Sequence, residues 1–261
     1  MNTTSHKHPP IIVTGMGRSG TSLVGRYLAH CGVNLGSQLV AADAGNEDGY
    51  FENAEIVQFH QSIMARDSTK PDRKSYLDLV SDADRNKARA ILQHRPNDAR
   101  WGWKDPRTSL FLDLLTDLLP AMQCIFMLRH PFEVLISVRR LVGAGKGHWR
   151  SNTRWLESWQ TRTMNCVAFA KKYPQNAIWL DYARFLQYPG TAAEALGHFL
   201  ELDCPPDALV DMVHAPKTDT GFLRNFPLRA LPSVALKCAW TYHRLRQHAV
   251  PAENKLPRGD S

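Results

Sequence analysis

Residues Ile11 to Gly32 read IIVTGMGRSGTSLVGRYLAHCG, and this segment predicts a strand, a glycine-rich turn and a helix. Ile11 to Thr14 is a short apolar run with β-branched side chains, which is typical of a buried parallel strand. The apolar spacing after the turn predicts a helix from Ser19 to Cys31, and Gly32 is suited to end it.

The rest of the chain continues this alternation of strands and helices. Further strands are expected at Trp101 to Lys104, Gln123 to Leu128 and Ala177 to Leu180. Helices are expected at Asn53 to Arg66, Asp84 to His94, Leu110 to Leu119, Phe132 to Leu141, Asn152 to Lys172, Thr191 to Leu202, Pro206 to His214 and Ser233 to His248. The pattern predicts an α/β fold, with a central parallel sheet flanked by helices and ligands beyond the strands' carboxyl ends.

Length and composition indicate one globular domain. The chain has 261 residues and no linker-like stretch, so we expect a single domain over residues 9–250 with flexible tails at 1–8 and 251–261. The net charge of +7 favours an anionic partner, but the basic residues are scattered and do not form a nucleic-acid tail. Five widely spaced cysteines and the lack of an apolar spanning run predict a cytoplasmic protein without a zinc site.

The segment Gly15 to Ser22, GMGRSGTS, has the frame of a Walker A phosphate-binding loop without its lysine. Thr21 occupies the lysine position, and Arg18 supplies a cation three residues earlier. Backbone amides of such a loop and of the helix that follows bind anions. A magnesium-dependent NTPase is disfavoured, because the lysine is missing and the strand Gln123 to Leu128 is followed by Arg129 instead of an acidic residue.

A second candidate anion site follows that strand. Residues Arg129 to Ser137 read RHPFEVLIS, in which Pro131 suits the first turn of a helix. The Arg129 guanidinium can donate two hydrogen bonds to a phosphate. Two helical turns bring Ser137 back to the same side as Arg129. Two anion sites are therefore predicted, each at a strand-to-helix junction.

Both motifs resemble those of the sulfotransferase family. The run Arg18 to Ser22 is similar to the loop that holds the 5′-phosphosulfate of PAPS (3′-phosphoadenosine 5′-phosphosulfate), in the arginine form of the bacterial and glycan-type branches. Arg129 and Ser137 resemble the element that binds the 3′-phosphate. A weaker match covers Trp179 to Leu200.

The resemblance implies the P-loop NTPase-like sulfotransferase fold, PAPS as the donor, PAP as the product and no metal ion. It implies the following donor-binding residues: Gly17, Arg18, Ser19, Gly20, Thr21, Ser22, Arg129 and Ser137, with Tyr182 near the adenine and Arg224 from the basic segment Lys217 to Arg229.

The general base is less well defined by the sequence. The Lys-Thr-His triplet of the cytosolic sulfotransferases is absent, and the comparable place reads WKDPR from Trp103 to Arg107. By resemblance to the glycan and tyrosyl branches, Glu52 is the first candidate for the base and Arg18 stabilises the leaving group. Asp105 is the second candidate, followed by Glu47 and His60, and Lys104 and Arg107 are candidates for neutralising charge. Glu52 could instead be an acid that favours a helix N-terminus, and Asp105 a salt-bridge partner.

The acceptor is the least determined part of the prediction. Trp101, Trp103, Trp149 and Trp155, with the basic stretch Lys146 to Arg154, are candidates for an acceptor cleft or for core and surface. We expect sulfuryl transfer to a hydroxyl or amine of a small molecule, lipid or glycan. A P-loop kinase or nucleotide hydrolase and a catalytically silent nucleotide-binding relative are the alternatives.

Overall fold

The computed structural model describes residues 8–43, 46–67, 76–93, 99–142, 149–213 and 233–250. The strands in these ranges are β1 (Ile11–Gly15), β2 (Gly102–Lys104), β3 (Gln123–Leu128) and β4 (Ala177–Asp181). The α-helices are α1 (Thr21–His30), α2 (Ala54–Met64), α3 (Asp82–Gln93), α4 (Leu112–Leu118), α5 (Pro131–Val142), α6 (Trp149–Lys172), α7 (Tyr182–Gln187), α8 (Pro189–Leu200), α9 (Pro206–Met212) and α10 (Ser233–Arg246). No helix in this part of the chain is long and apolar enough to cross a bilayer.

The four strands form one parallel sheet in the order β2-β1-β3-β4. β1 lies between two neighbours, and all five of its residues are buried. The carboxyl ends of β1 and β3 are adjacent, with Gly15 opposite Met127, so the segments that follow both strands begin at the same edge of the sheet. This edge is where ligands bind in parallel α/β sheets.

Side chains alternate between two hydrophobic layers, as the pleat of a strand requires. Ile12, Cys124 and Phe126 face a core shared with α2, α3 and α4. Ile11 and Val13 face the opposite core, which includes side chains of α1 and α8. A third cluster, near the carboxyl ends of the strands, joins α5, α6 and α10. The sheet is covered on both faces, which confirms the predicted α/β fold.

Helices α1 and α4 begin two residues later than predicted, because the backbone before each of them is not α-helical. Helix α1 begins at Thr21 instead of Ser19, since Gly20 has a left-handed backbone with φ 93°. The helix expected from Leu110 is preceded by a 3₁₀ turn at Pro106–Leu110, which Asp105 caps through the Arg107 amide. At the end of β4, Asp181 caps α7 in the same way, by accepting from the Arg184 amide.

Two of the tryptophans that were candidates for an acceptor cleft belong to the core instead. Trp101 and Trp103 are each 1% exposed and pack in the cluster beside Phe126. The Trp103 indole donates to Thr108 Oγ1 at 3.0 Å, which satisfies its polar atom inside the protein. Only Trp155 of the four candidates has a described side chain that is exposed.

Candidate active site

The glycine-rich loop Gly15 to Ser22 joins β1 to α1 and has an unusual backbone. Arg18 has φ 67°, a left-handed conformation that few non-glycine residues adopt. A Cβ on Gly20 would lie 2.5 Å from the Tyr182 ring, so only glycine fits there. The Ser19 hydroxyl is buried, and no described residue forms a hydrogen bond with it. The amides of the first turn of α1 have no intrahelical partner, as at any helix start.

The two sequence motifs come together at Arg18. Arg18 Nε donates to Ser137 Oγ at 3.1 Å, although the two residues are 119 positions apart. Arg129 Nη1 donates to the Arg18 carbonyl oxygen at 2.9 Å. Arg18 is therefore held by Ser137 on α5 and by Arg129, which follows β3. The side chains that the sequence predicted for two anion sites form one continuous polar surface.

Tyr182 joins this surface from the end of β4. The Arg129 guanidinium lies 4.2 Å from the centre of the Tyr182 ring, a cation–π contact. Arg129 is also paired with Glu133 one helical turn later, at 3.1 Å. Arg129 is thus held on two sides, and its orientation toward the loop is fixed by neighbours on α5 and α7.

A cleft of about 190 Å³ opens over these residues, and we call it the first cleft. Arg18, Ser22, Arg129, Ser137 and Tyr182 line it, so members of both motifs face one space. Its rim also includes Arg26 and Asn46, which the sequence did not single out.

A second cleft, of about 340 Å³, adjoins the loop and shares Arg18, Thr21 and Ser22 with the first. Its other lining side chains include Glu52, Lys104, Arg107, Trp155 and Arg162. The loop is therefore the common wall of two clefts that have different chemical character.

Glu52 lies in the second cleft and is held by two cations. Lys104 Nζ donates to Glu52 Oε1 at 2.6 Å, and Arg107 Nη1 donates to Oε2 at 3.0 Å. Burial lowers the pKa of Lys104 from its ordinary value, and the charge of Glu52 offsets part of that decrease. Glu52 is not the cap of α2, because the side chain of Asn53 accepts the first amides of that helix. Its carboxylate instead faces the cleft beside Lys104.

Asp105, the second candidate for the base, is completely buried and does not line either cleft. Its Oδ2 lies 2.8 Å from His60 Nδ1, and its Oδ1 accepts from Arg107 Nη1 at 2.7 Å. Burial by itself would raise the pKa of Asp105, but the hydrogen bond to His60, with the charges of His60 and Arg107, lowers it to about 2. Asp105 thus has the surroundings of a fixed anion that orients Arg107.

Several side chains at the site were not indicated by sequence reasoning. Asn46 Nδ2 donates to Ser22 Oγ at 3.2 Å. Arg162 Nη1 donates to the Pro106 carbonyl oxygen at 2.8 Å. The sequence did contain one pattern that could have indicated Arg162. On α6, Trp155, Ser158 and Arg162 have the spacing of one helical face.

Other candidates lie away from the site or outside the described residues. Glu47 is exposed in the loop before α2 and lines neither cleft. Trp149 is the first residue of α6, and its side chain is not described. Lys146, Arg224 and the segment Lys217 to Arg229 lie outside the described residues. No group of three or more His, Cys, Asp or Glu side chains arranged to hold a metal ion occurs in the ranges given above.

A parallel sheet with a glycine-rich loop between β1 and α1 defines a protein with a P-loop-like fold. The sequence profile of the sulfotransferase family matches residues 9–206 of this chain. The chain therefore belongs to the sulfotransferase family, whose members transfer sulfuryl groups. A search among curated protein sequences gave no match.

Three solved structures with a similar fold are sulfotransferases or sulfotransferase domains. The sulfotransferase domain of the Synechococcus PCC 7002 olefin synthase is 18% identical, with a TM-score of 0.57 over 93% of this chain and 98% of that domain. The sulfotransferase domain from the curacin biosynthetic pathway is 16% identical, with a TM-score of 0.54 over 92% and 99%. A sulfotransferase from Alicyclobacillus acidocaldarius is 12% identical, with a TM-score of 0.53 over 91% and 95%. At these identities the likeness concerns the fold alone.

Proposed function

We propose that this chain transfers the sulfuryl group of PAPS to a hydroxyl or amine of an acceptor, in line and without a metal ion. One observation supports this most directly: the first and second clefts share Arg18, Thr21 and Ser22. A donor in the first cleft with its phosphosulfate on the loop would present its sulfur atom to the second cleft, where Glu52 lies.

The first cleft has the chemistry that PAPS requires. PAPS carries anionic groups on both the 5′ and the 3′ side of its ribose, so it needs two cationic contacts at a fixed separation. Arg18 with the loop amides would hold the 5′-phosphosulfate, and Arg129 with Ser137 would hold the 3′-phosphate. The hydrogen bond from Arg18 to Ser137 supports this assignment, because it places the two groups in one cleft.

Transfer requires one bond to form as another breaks. The acceptor oxygen forms a bond to sulfur while the bond between sulfur and the bridging phosphate oxygen breaks, and PAP leaves. Arg18 and the loop amides would stabilise the negative charge on the departing oxygen. Glu52 would take the acceptor proton. Lys104, which donates to Glu52 Oε1, would hold this carboxylate in place.

Nucleotide selectivity tests the donor. In a metal-free buffer with EDTA, PAP should raise the thermal unfolding temperature in a concentration-dependent manner, and AMP or ATP should raise it less. At about 100 times its dissociation constant, PAP should stabilise the protein by about 2.7 kcal/mol. ATP stabilisation that needs magnesium and exceeds that of PAP would favour the kinase alternative and overturn the proposal.

The variant Glu52→Gln separates donor binding from transfer. It should lose about 10²- to 10⁴-fold of the transfer from ³⁵S-labelled PAPS to acceptors in a lysate extract. PAP should still stabilise the variant, because Glu52 does not line the first cleft. Full transfer activity in Glu52→Gln would show that another group is the base.

A further inference from the structure

The second cleft is small. Its volume of about 340 Å³ lies near the lower end of the range of about 300 to 1,000 Å³ that holds small molecules. Arg18, Thr21, Ser22 and Glu52 are among its lining residues, so an acceptor must bring its reacting group to them and fit its remaining atoms into the rest of the space. Within the described residues, this space is sufficient for a compact molecule.

The lining of the second cleft includes apolar side chains. These are Met64, Pro106 and Trp155, with the ring of Tyr50 and the largely buried Met16. Trp155 is 37% exposed, whereas Trp159, one turn later on the same helix, is 1% exposed and packs in the core. An exposed indole at a cleft offers a flat face to an apolar or aromatic ligand. The two methionines adapt to ligands of different shape.

The polar groups of the second cleft are not those that usually bind sugars. Sugar hydroxyls need many donors and acceptors at fixed positions, and leaving such groups unpaired is costly. Among the described residues that line this cleft, none is Asn, Gln or Asp. Glu52, the one carboxylate there, is already held by Lys104 and Arg107.

The charge of the second cleft disfavours an amine acceptor. Its lining carries the cations Arg18, Lys104, Arg107 and Arg162 against the single anion Glu52. A protonated amine would be repelled there, and it would need to lose its proton before it could attack sulfur. A hydroxyl oxygen, in contrast, develops negative charge as it reacts, and the same cations stabilise that charge.

Resting on the proposed function, we propose that the acceptor is a compact alcohol or phenol with an apolar body and no ammonium group. The body packs against Trp155 and Met64, and the hydroxyl lies beside the Glu52 carboxylate. Glycans and amines are poor acceptors of this enzyme.

A matched acceptor panel tests this proposal. PAP release from PAPS is measured with 2-phenylethanol and 2-naphthol, with the amine 2-phenylethylamine, and with methyl glucoside. Both hydroxyl compounds should show kcat/KM values at least about tenfold higher than the amine and the sugar, a difference of about 1.4 kcal/mol. Higher values for methyl glucoside or for the amine would overturn the acceptor class.

Variants of Trp155 locate the acceptor. Trp155→Ala should raise KM for 2-naphthol about tenfold, whereas Trp155→Phe should retain most of the affinity. PAP should stabilise both variants as it does the parent, since Trp155 does not line the first cleft. Trp240→Ala, which removes a 62% exposed tryptophan on α10, is the matched control and should leave KM unchanged. An unchanged KM in Trp155→Ala would overturn the placement.

Stabilisation by PAP distinguishes failure of the acceptor class from failure of the proposed function. If PAP stabilises the protein but neither hydroxyl compound is sulfated, the acceptor class is wrong and the donor assignment stands. If PAP does not stabilise it, the proposed function fails and this inference fails with it.

Discussion

His130, which follows Arg129 in the sequence, is a residue whose protonation makes the stability of the protein depend on pH. Its ring packs edge-on against Tyr242 at 4.8 Å and lies 6.2 Å from the ring of His243. Burial, with the charges of His243 and Arg246, lowers the pKa of His130 from 6.5 to about 4. The folded protein therefore keeps this imidazole neutral at pH values where the unfolded chain binds a proton.

This difference predicts how stability depends on pH. Between about pH 6.5 and pH 4 the unfolded chain binds the proton more tightly, so the free energy of unfolding should fall as pH falls through this window. The contribution of His130 is about 3 kcal/mol at full effect. Urea unfolding at pH 4, 5, 6 and 7 measures it, and His130→Gln should have a shallower pH dependence than the parent.

An exposed histidine provides the control for that experiment. His198 lies on α8 with its side chain exposed, and His198→Gln should keep the pH dependence of the parent. If His130→Gln and His198→Gln give equal slopes, burial of His130 is not the cause of the pH dependence.

The glycine-rich loop is the element on which the proposed donor binding depends, and its backbone distinguishes two glycines. A Cβ on Gly20 would collide with the Tyr182 ring, and the φ of 93° is strained for any other residue. A Cβ on Gly17 would meet nothing within 4 Å. The two glycines are three residues apart in one loop, yet only one of them is constrained by its neighbours.

The variants Gly20→Ala and Gly17→Ala therefore form a matched pair that tests the role of the loop backbone. Gly20→Ala should weaken PAP binding by about 1 to 3 kcal/mol, which is roughly 5- to 150-fold in affinity. Gly17→Ala should bind PAP within about twofold of the parent. Isothermal titration with PAP measures both, and urea unfolding shows whether each variant is folded. Equal losses in the two variants would contradict the role assigned to the backbone of Gly20.

The sequence predicted the elements better than it predicted the contacts between them. β3 was predicted with its observed bounds, because a strand buried on both faces reads as an unbroken apolar run. The shifted start of α1 could not be predicted, because the local sequence does not show that Gly20 has a left-handed backbone. The partnership of His60 with Asp105 spans 45 positions and has no local signal either.

The residues of the candidate site show the same difference between local sequence patterns and contacts made across the chain. Arg18 and Ser137 belong to motifs whose spacing is visible in the sequence, and the structure places them in contact. Arg162 is one basic residue among many on a long helix, and only the packing of α6 brings it to the second cleft. Residue type and spacing therefore identify the two motifs as candidates, whereas the lining of the second cleft depends on tertiary packing that a single sequence does not encode locally.

Across the whole molecule, the end of the described chain returns to the sheet beside the site. Val250 forms a parallel bridge with Leu180, and its amide donates to the Trp179 carbonyl oxygen at 2.8 Å. The open edge of β4 is thereby partly covered. Helix α10 precedes Val250 and packs on α5 and α6, so it joins the sheet edge to the helix that carries Ser137.

One buried hydrogen bond holds α10 to the end of β4. Tyr242 Oη donates to Asp181 Oδ2 at 2.8 Å, and Asp181 is completely buried while its other oxygen caps α7 at Arg184. Tyr242→Phe would leave that carboxylate oxygen without its donor, so the free energy of unfolding should fall by about 1 to 3 kcal/mol. Urea unfolding measures the loss.

Hydrogen exchange locates the effect of Tyr242→Phe within the molecule. The amide of Val250 should exchange faster in this variant, because α10 precedes it and the bond to Trp179 depends on the position of that helix. Trp240→Phe, which changes an exposed ring on the same helix, should leave both stability and exchange near the parent values. Parent-like stability in Tyr242→Phe would mean that hydrophobic packing of α10, and not its bond to Asp181, holds the end of the chain against the sheet.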